Sequence, residues 1–386
     1  MNIPYKLVKE EEDLLEPLIS FSRSELTALC KESHKSETLF PKSIFNRLAS
    51  LGITGLSLRE DVGGINASPS LQASVYDVLA RVDLGPAIFC SVHSMVSGLI
   101  QRFGNDQQHS QYLCKLASGE MLAAFALSEP QAGSDAKNLS TQMKHSPDGS
   151  YLLNGEKCWI TSAGAADIYL VFARLAGTSG KEGITALLIN KDQQGLTIGP
   201  PEKKMGCELS PIGALSFCDA KISESAIIGG VGEGIRIAYA GLTGGRINIA
   251  ACANGISRTA LSATVDYVKQ RKAFGQTLAD FQGVQFKLAE MKTALDAATL
   301  LVADAAERHS RAPADPATRI AAAEAKLFAT ETAMRITTDA VQLHGAMGYM
   351  KETGVEKLMR DAKMLQIVEG ANEVQKGIIA RSMLDS

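Results

Sequence analysis

Glu369 stands between the apolar pair Ile367-Val368 and Gly370, inside the run from Arg360 to Gln375. Apolar neighbours strip water from a carboxylate and so make it a stronger base, while a glycine lets the chain turn sharply beside it. That arrangement suits removal of a weakly acidic proton. A Glu before a Gly also describes a solvated loop, so its company along the chain matters. In Phe125-Ala-Leu-Ser-Glu-Pro-Gln-Ala-Gly-Ser-Asp135, small residues around Gly133 let backbone N–H groups approach an anion, and Ser128 and Ser134 add hydroxyls. The same pattern describes a capped surface turn. Further on, Gly155-Glu-Lys-Cys-Trp-Ile-Thr-Ser-Ala163 places the single tryptophan, Trp159, two residues before Thr161. An indole and a hydroxyl suit a flat heterocycle, and equally a strand core.

Two more segments follow in the C-terminal half. Arg271 to Gln285 gathers a cation, aromatic rings (Phe274, Phe281) and amides, Gln282 among them, around a glycine-broken helix junction. Gln342-Leu-His-Gly-Ala-Met-Gly-Tyr349 offers an amide and close-approach glycines at a helix end. Either also reads as a plain helix–helix turn. Neither is a Walker loop or a Gly-x-Gly-x-x-Gly nucleotide fold.

These residues need elements to hold them. A chain of 386 residues has room for two or three core-forming units. Residues 1–120 read as helices joined by polar turns, with Leu14, Leu15 and Leu18 and then Ile44, Phe45 and Leu48 at helical spacing. Residues 121–225 read as strands and turns, the apolar runs beginning at Tyr151, Ile168 and Ile184, which fits a small barrel or sandwich. Residues 226–386 are alanine-rich and helical. There Asp315 and Pro316 start a helix that Gly345 ends, and Ile320, Leu327, Met334 and Val341 recur every seven residues as an expected core stripe.

Composition excludes several classes. At 45% hydrophobic and 21% charged, with net charge -3, the chain has no general attraction for nucleic acid or anionic membranes. Seven scattered cysteines without a Cys-x-x-Cys pair suit reduced thiols better than disulfides or zinc, and the six histidines show no metal spacing. No run reads as long enough to cross a membrane. The acidic start lacks a signal or transit pattern. The expectation is a bacterial cytoplasmic protein with no metal.

The four segments, in this order and with Glu369 behind them, resemble the acyl-CoA dehydrogenase family over essentially the whole chain. The family's signatures look like Ala126–Asp135 and Gln342–Asp361. The resemblance implies an α+β fold with an N-terminal helical domain, a central β-barrel and a C-terminal four-helix bundle. It also implies FAD held partly across a subunit interface in a dimer-of-dimers homotetramer. Within the family, Thr243–Ala250 and Ser91–Ser94 look most like the isobutyryl-CoA (short/branched-chain) members.

Carried over by position, Phe125, Leu127, Ser128, Gly133, Ser134, Trp159, Ile160 and Thr161 would line the flavin. Arg271, Phe274, Phe281, Gln282, Gln342, Leu343, His344 and Gly345 would reach a neighbour's FAD, and Ala371, Asn372 and Glu373 would close over it. Ser134, Thr243, Gly244, Gly245, Arg246, Val368, Gly370 and Arg381 would meet the acyl-CoA, with Glu369 as base. Some members carry the base immediately before the arginine that matches Arg246; here that residue is Gly245.

The chain departs from the family pattern at Val368 (often Tyr), Ala371 (Thr or Ser), Ala346 and Ile212. A smaller Val368 leaves room for a branched acyl group, and Ala371 removes a hydroxyl from the FAD site. The expected activity is FAD-dependent α,β-dehydrogenation of a short, branched acyl-CoA, with electrons passed to electron-transfer flavoprotein. The rivals are the same chemistry on a carrier-protein thioester, and a non-catalytic flavin-binding assembly partner.

Overall fold

Six helices build the first third of the chain: α1 Lys9–Phe21, α2 Thr27–Lys35, α3 Lys42–Ser50, α4 Pro69–Val82, α5 Leu84–Phe103 and α6 Asp106–Ala117. They are taken from a computed structural model that describes residues 4–384. Local chemistry sets where helices begin. Ser68 accepts from the Leu71 N–H at 3.1 Å with Pro69 in the first position of α4, and Asp83 caps α5 through the Gly85 N–H at 2.8 Å. Leu15, Leu18, Ile44, Phe45 and Leu48 are buried as their spacing requires, whereas Leu14 faces outward. One expectation needs correcting. The 20-residue α5 is long and apolar enough to span a membrane, but 83% of its apolar window is buried inside the protein, so it is a core helix.

Eight strands follow: β1 Ala123–Ala126, β2 Gln142–His145, β3 Tyr151–Thr161, β4 Ile168–Leu175, β5 Ile184–Asn190, β6 Leu196–Ile198, β7 Ile212–Ile222 and β8 Ile227–Ile228. They form one sheet in the order β6-β7-β3-β2-β4-β5-β8, with β1 parallel to β4 from Ala123↔Ile168 to Ala126↔Val171. The long β3–β7 ladder slips between Lys157 and Ile160. That irregularity falls on Trp159, where an extra residue re-aims a side chain.

The remaining helices are α7 Gly234–Gln270, α8 Gln282–Arg311, α9 Pro316–His344, α10 Ala346–Tyr349, α11 Val355–Leu365 and α12 Asn372–Leu384. The expected helix junction at 271–285 is instead a hairpin, β9 Lys272–Ala273 with β10 Gln276–Thr277, before α8 begins. Asp315 caps α9 through the Ala317 N–H at 2.8 Å, and the helix ends at Gly345. Its core stripe is not the one read from the sequence. Ala322, Ala325, Ala329, Ala333, Ile336 and Ala340 are buried, while Ile320, Leu327, Met334 and Val341 are half-buried. Alanines let the long α7 and α9 approach closely and leave bulkier residues to fill the flanks.

A buried ionic knot ties the layers together beneath α11. Lys357 Nζ lies 3.0 Å from Asp83 Oδ2 and 2.6 Å from Asp361 Oδ2, and Asp361 Oδ1 accepts from the Cys207 N–H at 2.6 Å. It thereby fixes the helix that leads into Glu369.

Candidate active site

Glu369 lies in the turn between α11 and α12 with φ 57°, and Gly370 follows at φ 88°. The left-handed region suits glycine but strains a glutamate, so the turn must be over-determined by its neighbours. It is. Gln375 Nε2 donates to the Gly370 carbonyl at 2.7 Å and the Glu369 carbonyl at 3.3 Å. Arg246 Nε donates to the Glu369 carbonyl at 3.3 Å, and Lys326 Nζ to that of Gly370 at 3.1 Å.

This clamps the side chain over α7. A Cβ built on Gly245 would stand 2.7 Å from Glu369 Oε2, so only glycine leaves the carboxylate its place. Oε2 is buried without a hydrogen-bond partner. Burial pushes the acid up to about 7, against the opposing pull of the Arg246 and Lys326 charges. Arg246 is itself buried. Thr243 donates to the Tyr239 carbonyl at 3.1 Å, and the guanidinium of Arg319 sits 5.2 Å from the Tyr239 ring. Tyr239, Ala240 and Gly244 are half-buried, whereas every residue from Gly245 to Ser257 is buried. α7 is therefore less covered around 239–244 than beyond Gly245.

Val368 and Ala371 are half-buried beside the base, Glu373 and Arg381 are exposed, and Asn372 is buried. Asn372 Oδ1 accepts from Lys326 Nζ at 2.9 Å and Thr330 Oγ1 at 3.1 Å, while its Nδ2 has no partner. Glu233 and Glu373 do not rival Glu369. The first pairs with Arg236 at the surface and the second is exposed.

The strand residues form a second group. The Cys158 N–H donates to the Ser128 carbonyl at 3.0 Å, which joins the 125–135 segment to β3. A fully buried ion pair locks the junction: Lys157 Nζ lies 2.7 Å from Glu129 Oε1 and donates to the Leu127 carbonyl at 3.1 Å. Glu129 also accepts from the Ser140 and Thr141 N–H groups at 2.6 and 3.0 Å. Phe125 packs on Phe172 with ring centroids 4.9 Å apart, and Gly133 and Ser134 are exposed. Trp159, at φ 56°, is 56% exposed, with Thr161 half-buried nearby. Ile160 is sealed in the core at 2% exposure, so it offers a ligand only backbone. Ser162 Oγ is buried without a partner.

A third group stands apart. Phe274, Phe281, Gln342 and Leu343 line a groove of about 480 Å³ where the hairpin meets α8 and α9. Arg271 and Gln282 are exposed beside it. Gln342 lies four turns and more along α9 from Lys326, roughly 24 Å at the α-helical rise, so one chain does not bring this groove to Glu369. His344 turns inward, stacked on Tyr267 at 4.3 Å with Nδ1 2.7 Å from the Ala340 carbonyl.

The residues present fit a flavin. An exposed indole stands beside two hydroxyl-bearing residues, and Ser162 Oγ and Asn372 Nδ2 are buried polar atoms lacking partners. Lys326, the Glu129–Lys157 pair and Gln375 were missed in the sequence. The available signal was a lysine interrupting the alanine face of α9, and another two residues before Trp159.

A strained carboxylate with a raised proton affinity, clamped over a glycine of α7, suits removal of a weakly acidic proton, and the likeness to known proteins gives that proton its class. The chain matches the acyl-CoA dehydrogenase N-terminal domain over residues 8–120, the middle domain over 124–220 and the C-terminal domain over 232–384. It belongs to the acyl-CoA dehydrogenase family and is a flavin-dependent oxidoreductase that dehydrogenates acyl-CoA. It is 38% identical over 378 residues to the mitochondrial isobutyryl-CoA dehydrogenase of Dictyostelium discoideum, covering 98% of this chain and 90% of that protein. It is 40% identical over 385 residues to the short-chain-specific acyl-CoA dehydrogenase of Megasphaera elsdenii, covering 98% and 99%. The solved butyryl-CoA dehydrogenase of Megasphaera elsdenii superposes with a TM-score of 0.93 at 39% identity, covering all of both chains.

Proposed function

We propose that the chain uses FAD to convert a short, branched acyl-CoA to the 2,3-enoyl-CoA and passes the electrons to electron-transfer flavoprotein. The observation that carries the reading is the unpartnered Glu369 carboxylate, held over Gly245 and beside a half-buried Val368. The similarity to an isobutyryl-CoA dehydrogenase and to short-chain enzymes supports a small acyl group.

In this reading Glu369 takes the proton α to the thioester onto its carboxylate, and the bound flavin supplies the acceptor for the β-hydride. The Glu369 backbone N–H steadies the negative charge that develops on the thioester oxygen. Arg246, Thr243 and Ser134 orient the acyl-CoA, with Gly244 and Gly370 allowing it to approach the backbone and Arg381 at the rim. Trp159, Ser128 and Thr161 would hold the flavin, the indole through an apolar face and the two hydroxyls through hydrogen bonds, and Asn372 would offer its unpartnered Nδ2. Closing this cleft keeps water from the base and the acceptor.

The groove of Phe274, Phe281 and Gln342 serves a second copy in the same reading. Phe274 is 96% exposed on its hairpin, and an aromatic left so bare marks a contact surface. A dimer-of-dimers tetramer would bring it, with Arg271, Gln282 and Leu343, to a neighbour's FAD. The test is flavin reduction on mixing with acyl-CoA and carrier-protein thioesters, followed by turnover with electron-transfer flavoprotein or an artificial acceptor. Preferred bleaching by small branched CoA esters is expected. No bleaching by any thioester would overturn the assignment, and preference for the carrier-bound group would move it to biosynthesis. Solution mass and flavin content together check the tetramer.

A further inference from the structure

Among the described residues, Lys326 is a lysine with its side chain wholly enclosed in the alanine-lined layer between α9 and the Glu369 turn. Burying an ammonium is costly unless it is paired and hydrogen-bonded. Its partners here are all in one place: the Gly370 carbonyl at 3.1 Å and Asn372 Oδ1 at 2.9 Å, the latter also held by Thr330. Neither partner is a carboxylate, so no ion pair at contact distance offsets the desolvation. A methionine would fill such a place in an alanine-rich layer at less cost. The charge has its reason one residue away, at the base.

We infer that Lys326 is a positioning residue for the reaction: its ammonium holds the Glu369–Asn372 turn in shape, and its charge sets the pH at which Glu369 becomes a base. This rests on the reading of Glu369 given above. The charged groups around the pair are few. Arg246 on α7 and Lys326 on α9 face the carboxylate, Glu373 on α12 and Arg246 act on Lys326, and Arg319 and Tyr239 act on Arg246. Burial lowers the Lys326 ammonium to about 7 while the Glu369 charge pulls it back up. Lysine and base therefore exchange influence near neutrality, each favouring the charged form of the other.

Two substitutions separate shape from charge. Lys326→Gln keeps a donor for the turn and removes the charge, and Lys326→Met removes both. The measurement is the rate of flavin reduction by the best acyl-CoA against pH in flavin-loaded protein, with flavin content and thermal midpoint recorded alongside. In Lys326→Gln the acid limb should move to higher pH by about one unit, the low end for an opposite charge near a carboxyl, with flavin content retained. In Lys326→Met the same shift should come with at least a tenfold fall in the plateau rate. An unchanged acid limb in a folded, flavin-loaded Lys326→Gln protein overturns the inference and leaves the dehydrogenase reading intact. Failure of both variants to fold also overturns it, because the lysine would then belong to the core and not to the turn. If the unmodified protein is reduced by no thioester at all, the dehydrogenase reading fails and this inference falls with it.

Discussion

Gly245 and Glu369 contend for one point in space: a methyl group on the first would sit 2.7 Å from Oε2 of the second. The expectation drawn from the family resemblance, that a base can stand at either position, thus has a spatial counterpart, since a side chain at Gly245 would reach the place Glu369 Oε2 occupies. Gly245→Ala should fold and retain flavin, because α7 gains a better helix former. It should also push the carboxylate aside by a few tenths of an ångström or more, and misplacing a reacting group by 1 Å costs on the order of 10²-fold. A tenfold or greater fall in the flavin-reduction rate is expected. A rate equal to wild type would mean the carboxylate is not where the reaction needs it.

Glu369→Gln should keep fold and flavin and lose flavin reduction by about 10²–10⁴-fold, the usual contribution of a positioned base. In the unmodified protein, reduction should rise with pH through about 7, since burial raises this acid and only its ionised form accepts the proton. The stability effect has the opposite sense. A carboxyl whose folded pKa lies above its unfolded value favours the folded state below about 4.5 and loses that contribution as pH rises through about 7. Glu369→Gln should therefore be more thermostable than wild type at pH 8 and gain little at pH 4. Scanning melts at both pH values check it, and equal midpoints at pH 8 would mean the carboxylate is well solvated.

Much of this site was legible in the chain. Glu369, Gly370 and Trp159 were marked by local chemistry, because apolar neighbours, a glycine and a lone indole each leave a trace within a few residues. Three of the positions singled out, Trp159, Phe274 and Glu369, are among the non-glycine residues with positive φ, so strain is gathered where function was expected. Lys326 and Lys157 were not legible as site residues, since a buried lysine and an exposed one look alike until the face of the element is known. The α9 heptad misled for a related reason. Spacing identifies a face, but close approach of α7 through small residues decided which face became the core.

The Glu129–Lys157 pair holds the two strand segments in register beneath Trp159. Lys157→Met should cost about 3–5 kcal/mol, the usual penalty for stranding one member of a buried pair. Burial pushes the Glu129 carboxyl up, but the lysine charge and the hydrogen-bond donors together hold it down to about 2. The pair's stabilisation is accordingly present above the ordinary carboxylate range and lost as pH falls through about 2. Chemical denaturation with flavin fluorescence should show flavin released before global unfolding in Lys157→Met. Coincident transitions would confine the pair's role to general stability.

The acyl pocket gives the sharpest test of substrate. The two stretches that carry the isobutyryl-like pattern meet in space, where Asn248 Nδ2 donates to Ser91 Oγ at 3.4 Å, both residues buried. Asn248 follows Gly245 by three residues on the same face of α7, about 4.5 Å further along at the helical rise, where the helix is covered on all sides. In the proposed reading, Asn248 would limit the depth open to the acyl group beyond Gly245. Isobutyryl-CoA or 2-methylbutyryl-CoA should therefore show a higher kcat/KM than octanoyl-CoA or palmitoyl-CoA. Each misfitted methylene is worth roughly 1–3 kcal/mol, so long chains should be strongly rejected and butyryl-CoA only about tenfold. Asn248→Gly should raise activity on hexanoyl-CoA relative to butyryl-CoA by opening the floor. Val368→Tyr should lower activity on the branched esters more than on butyryl-CoA, because a ring beside Glu369 takes the space assigned to the branch. If long straight chains win in the unmodified protein, or if Val368→Tyr affects branched and straight esters alike, this account of the pocket is wrong while Glu369 keeps its role.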